Sequence, residues 1–148
     1  MIEKLKSDLK EAQLARDELK TSVLRLLLSE IKNLEIQKGV DYILSEDEVI
    51  WVIQKELKKR QEAALGFRSG AREDSAIKEE TEADILSKYL PAQLSDAELS
   101  QIIDTVMTET NASSISDMGK VIGGVVSKVK GQASGDRISK MARLRLNV

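Results

Sequence analysis

Leu19, Val23, Leu27, Ile31 and Leu34 recur at spacings of four, four, four and three. That rhythm lines five apolar side chains along one face of an α-helix. It predicts a helix from near Asp17 that stops before Gly39. Nearly every other segment of the chain keeps the same rhythm. Ile2, Leu5, Leu9, Ala12 and Leu14 give an earlier helix from Ile2 to Arg16, with an imperfect end. Two serine–glutamate pairs at capping-box spacing open further helices: Ser45 with Glu48, and Ser95 with Glu98. In each, the serine oxygen can accept the amide three residues on, and the glutamate can reach back.

The helix after Ser45 is long. Ile53, Leu57, Ala64 and Phe67 form its inner stripe, and "GFRSGARED" breaks it. A fourth helix runs from Glu73 to Tyr89 with Ile77, Ile85 and Leu86 turned inward. Pro91 then ends the series, because proline lacks an amide hydrogen and crowds the preceding turn. Leu99, Ile102, Ile103 and Val106 mark the inner face of the next helix, "TNASSIS" interrupts, and two more helices follow. The last runs from Ser134 to Leu146. The expectation is an all-α chain with two helical bundles in series: a four-helix domain over 1–90 and a three-helix domain over 94–148.

Composition narrows the chemistry. The 148 residues include no cysteine and no histidine. That removes disulfides, thiolate chemistry, and the commonest general base and metal ligand at neutral pH. No catalytic residue, metal site or cofactor is expected. No apolar run approaches the roughly 18 residues of a membrane span, and "MIEKLKSDLKEAQLARD" does not read as a signal peptide. The expected setting is the cytoplasm, with no membrane partner. Serine–lysine pairs at SxxK spacing occur at Ser29–Lys32, Ser75–Lys78 and Ser127–Lys130, all within helices, where such spacing makes neighbours without catalytic meaning. The acidic group Glu79, Glu80, Glu82 and Asp84 and the basic run Lys58 to Arg60 read as solvated helix faces. Trp51 reads as core or inter-helix packing.

Charge is unevenly spread. Residues 1–118 carry 16 basic and 24 acidic side chains, whereas residues 119–148 carry 7 basic ones against Asp136 alone. Two readings are open: an anionic partner for the C-terminal end, or a basic surface that docks on the acidic part of the chain.

"DMGKVIGGVVSKVKGQASGDRISK", Asp117 to Lys140, holds five of the eight glycines and five basic residues. Its GKVIGG lacks the GxxxxGK[ST] spacing of a phosphate loop and follows no strand. On a helical wheel with Lys120 at zero, Met118, Val121, Ile122, Val125, Val126 and Val129 span about 100° to 240°. The segment is therefore read as a helix. Gly119 and Gly123 flank the apolar arc, which assigns them to close helix packing. Gly124 falls near 40°, between Lys120 and Lys128, which assigns it to an outward face where a phosphate backbone could approach. Gly131 suits the helix stop, Gly135 the turn into the last helix, and Ser134 its cap. The free amides there, with Lys130 and Arg137, make a candidate anion site. The candidate RNA-binding set is Lys120, Gly124, Lys128, Lys130, Arg137 and Lys140.

At these residues the chain resembles a known family. "DMGKVIGG…KVKGQASG…ISK" is similar to the tail domain of the B subunit of bacterial aspartyl/glutamyl-tRNA amidotransferase and to the stand-alone YqeY proteins. "LRLLLSEIKNLEI", "IQKELKKRQEAALGF", "GAREDSAIKEETEADIL" and "YLPAQLSDAEL" resemble the YqeY pattern, so the likeness covers nearly the whole chain. It implies a four-helix part and a three-helix part, a bacterial source, and a noncatalytic accessory module that binds tRNA. The label of carbon–nitrogen ligase with glutamine as amido-N-donor belongs, on this reading, to the parent complex. Partners implied are structured RNA, above all tRNA, and a tRNA synthetase or amidotransferase complex. The chain departs from the pattern at Gln132, where family members commonly carry a basic residue, and at Ser134, where they carry an acidic one. The alternative is a protein-docking module whose basic C-terminal bundle binds an acidic partner protein. Low aromatic content argues against a base-stacking reader of single strands.

Overall fold

A computed structural model describes residues 1–147. Seven α-helices account for about three quarters of them: α1 (Ile2–Leu14), α2 (Glu18–Lys38), α3 (Glu46–Ser69), α4 (Glu73–Ser87), α5 (Asp96–Thr110), α6 (Met118–Val129) and α7 (Gly135–Leu146). A short 3₁₀ turn, Ile115–Asp117, leads into α6, and no strand occurs among the described residues. The protein is all-α. It divides into two compact units, Met1–Leu90 and the residues from Pro91 onward.

In the first unit α1 packs on α2 and α3 on α4, and α2 touches both members of the second pair. The core gathers Leu5, Val23, Leu24, Leu27, Ile31, Leu44, Val49, Val52, Ile53 and Leu86. Both capping boxes form. The Ser45 amide donates to Glu48 Oε2 at 2.8 Å and the Glu48 amide to Ser45 Oγ at 3.3 Å. At Ser95 and Glu98 the same distances are 2.8 and 3.2 Å. Asp17 caps α2 by accepting from the Lys20 amide.

Several side chains sit differently from their expected places. Leu14 is exposed, because two residues after buried Ala12 the helix has turned by about 200°. Ile77 is exposed too, and Ala76 takes the inward position on α4. Trp51 is 53% exposed, with the Lys55 ammonium 5.3 Å above its ring, so it is neither core nor buried between helices. Glu82 is buried rather than solvated, and Arg60 of the basic run turns inward to meet it at 2.9 Å. Glu80 pairs with Arg68, which also holds Glu73, bracing the α3–α4 hairpin.

The second unit has its own core of Leu99, Ile103, Val106, Val121, Val125, Val129, Ala133, Ile138, Ala142 and Leu146. α6 packs on both α5 and α7, which also touch each other.

Candidate functional site

α6 is helical because Val121, Val125 and Val129 are buried at four-residue spacing, with Met118 and Ile122 partly covered beside them. The expected apolar arc is one residue narrower, since Val126 is 48% exposed. Asp117 accepts from the Ser113 and Ser114 amides just before the helix, and those bonds hold its carboxyl below the ordinary range.

The helix ends on Lys130, a left-handed residue with φ of 44°, followed by Gly131 with φ of 83°. Gly131 thus supplies part of the stop, as glycine does without steric cost. The turn is fastened from the start of the unit. The Leu94 amide donates to the Gln132 carbonyl at 2.8 Å, and Gln93 Nε2 donates to the Gly131 carbonyl at 3.1 Å. "PAQL" and "KGQAS" therefore form one structure, although about 40 residues separate them. Ser134 caps α7 through the Arg137 amide, and Gly135 is the first residue of that helix.

The glycines exchange their expected roles. A Cβ on Gly124 would lie 2.7 Å from Val106 Cγ1, so this residue faces α5 and permits close packing. It is not the outward, bared position. Gly119 and Gly123 are exposed, and a Cβ on either would meet nothing within 4 Å. These two leave bare helix backbone at the surface, and neither packs a neighbouring helix. Ser127 continues their line, its hydroxyl donating to the Gly123 carbonyl at 3.0 Å. Gly119, Gly123 and Ser127 fall within about 80° of helical arc, with Lys120 at its edge, and Lys130 follows at the helix's end.

The cations divide into two groups. Lys128 Nζ meets Glu109 at 2.8 Å, and Arg137 Nη2 meets Asp96 at 2.5 Å. Arg145 reaches Asp104 at 2.9 Å and also bonds Ser100. These three are engaged by α5, so Arg137 does not stand ready at the start of α7. Lys120 is 71% exposed in its side chain, with Asp117 at 3.8 Å. Lys130 and Lys140 are exposed and make no ion pair among the described residues. Arg143 is a further exposed cation on α7 that the sequence reading did not single out. Only its position on the polar side of the α7 stripe could have marked it.

Such a surface can hold a polyanion by charge and by close backbone approach. Among the described residues no group of three or more acidic side chains is placed to hold a metal ion. No helix among them is long and apolar enough to cross a membrane.

An all-helical chain with this glycine-rich α6 and its fastened turn has known relatives. It belongs to the family of Yqey-like proteins, whose model matches residues 2–146. Among curated proteins it is similar to "Altered inheritance of mitochondria protein 41, mitochondrial" of Clavispora lusitaniae. The two are 32% identical over 114 residues, 76% of this chain and 65% of that protein. The protein of the same name from Vanderwaltozyma polyspora is 38% identical over 86 residues, 58% of this chain and 46% of that one. The Saccharomyces cerevisiae strain YJM789 protein of that name is 38% identical over 87 residues, again 58% and 46%. The chain spans about half to two thirds of the length of these relatives. They are mitochondrial proteins of yeasts, which corrects the expectation of a bacterial source.

Proposed function

We propose that the chain is a noncatalytic binding module for structured RNA, with tRNA as the candidate, gripping the sugar–phosphate backbone along the outer face of α6. One observation carries this reading: Gly119 and Gly123 lie in a helix facing open space, with Lys120 beside them and Lys130 at the helix's end. Glycine inside a helix costs about 1 kcal/mol relative to alanine. Nothing in the unit packs against these two, so internal packing does not offset that cost. Close approach of another molecule's backbone does. Phosphate contacts from the flanking ammonium groups then position the RNA, with shape rather than base identity deciding fit. The compartment that goes with this reading is one that holds such RNA. The curated relatives are named as mitochondrial proteins, which supports that compartment over the cytoplasm, and cell fractionation distinguishes the two.

The test is a titration with total tRNA over a salt series. Affinity should fall steeply as salt rises, and Lys120→Ala or Lys130→Ala should each lower the salt slope by about one. Gly123→Leu keeps every charge and should weaken binding by blocking the backbone. No binding by the parent, or equal binding by all three variants, overturns the reading. A protein docked on the same face would then take its place, favoured by the exposed Val126 beside the glycines.

A further inference from the structure

The +6 balance of the last thirty residues disappears once the unit is taken whole. From Pro91 onward the sequence has 7 basic side chains, Lys120, Lys128, Lys130, Arg137, Lys140, Arg143 and Arg145, and 6 acidic ones. The acidic residues are not scattered at random over this unit. α5 presents Glu109 to Lys128 of α6, and Asp96 and Asp104 to Arg137 and Arg145 of α7. Asp96 remains 81% exposed and Glu109 53% exposed in their side chains, so both pairs lie where an incoming phosphate would compete for the cation.

We infer that Asp96 and Glu109 are specificity-determining residues that mask Arg137 and Lys128, cations lying away from the bare glycine strip, against polyanions in general. They neutralise Arg137 and Lys128, so a polyanion is not held by charge alone. Binding then depends on fitting the bare strip of Gly119 and Gly123, with Lys120 beside it and Lys130 at its end. The inference rests on the RNA reading for its ligand, but the masking of charge can be measured apart from it. Each cation freed from its carboxylate becomes available for counterion release, which is the sequence-independent part of polyanion binding. Specificity here comes from withholding that part, a form of discrimination by built-in repulsion.

The experiment compares the parent with Asp96→Asn/Glu109→Gln, using heparin as a shapeless polyanion and total tRNA as the structured one. The double variant should bind heparin at least about five-fold more tightly at 0.1 M salt, with a salt slope steeper by up to about two. Its preference for tRNA over heparin should fall. Adding Arg137→Gln/Lys128→Gln should return heparin binding to the parent's level, which separates unmasked charge from damage to the fold. Circular dichroism and melting of each variant check the fold directly. Unchanged heparin affinity in the double variant, or a gain that persists in the quadruple one, overturns the inference. A parent that binds no tRNA overturns the RNA reading, while the heparin comparison still decides the masking.

Discussion

Gly124 lies against Val106, so close that a Cβ on the glycine would stand 2.7 Å from Val106 Cγ1. One turn further along, Lys128 of α6 meets Glu109 of α5 at 2.8 Å. The two contacts share a flank of α6 and fix how near α5 approaches. Val106 is 1% exposed and β-branched, so it has little room to yield. Gly124→Ala should therefore lower stability by about 1–3 kcal/mol, outweighing the helix gain of up to about 1 kcal/mol. In a Val106→Ala background the sign should reverse, since the obstructing methyl groups are gone. Melting curves of the four proteins in a double-mutant cycle measure this. A Gly124→Ala protein more stable than its parent would show that the contact is loose.

Gly123→Ala should act in the opposite direction. Gly123 is helical, interior to α6 and surrounded by open space, so the substitution should raise stability by about 0.5–1 kcal/mol. Gly119→Ala should do less, because it sits in the first turn. Denaturant titrations with unchanged m-values would establish both. A loss of stability at Gly123 would mean that something covers this face.

Glu48 links stability to acid. Its carboxylate accepts from the Lys38 ammonium at 2.6 Å, the Ser45 amide at 2.8 Å and the Tyr42 hydroxyl at 2.9 Å. Led by Lys38, these partners pull its pKa from the ordinary 4.5 to about 2. The folded protein then binds this proton less readily than the unfolded chain. The stabilisation is complete above about pH 4.5 and drains away as pH falls toward about 2. Glu98, through the Ser95 amide, and Asp117, through the Ser113 amide, shift in the same direction. Across that window Tm should fall more steeply for the parent than for Glu48→Gln. Parallel slopes would remove Glu48 from the account.

Arg60 and Glu82 form the most buried ion pair between α3 and α4. Their side chains are 16% and 11% exposed, and Arg60 Nε lies 2.9 Å from Glu82 Oε2. That nitrogen's N–H is not aimed along the line, so the contact is ionic rather than a well-directed hydrogen bond. Glu79 stands 3.9 Å away. Arg60→Met would leave two carboxylates beside an apolar stem and should cost about 2–4 kcal/mol. Arg60→Met/Glu82→Met should recover only part of it, since the half-buried Glu79 carboxylate still loses its cation. A single variant that melts with the parent would show that the pair contributes nothing.

The helices themselves were written in local sequence. Capping at Ser45 and Ser95, the four-residue rhythm of α2 and the stop before Pro91 all act within a few residues, so they read the same in the chain as in the fold. The roles of the glycines and lysines in α6 were not local. Periodicity fixes a residue's angle about its own helix axis, but not where the neighbouring helices stand around it. α5 lies on the flank that carries Gly124 and Lys128, so the glycine expected outside is packed, and the lysine expected free is paired. The same reason applies to Arg137, whose partner Asp96 lies 41 residues away in sequence, and to Glu82, buried by a cation on another helix. Sequence determined which segments are helices and how much charge each carries. Only tertiary packing decided which charges are neutralised and which backbone is left bare, because both depend on distances between helices.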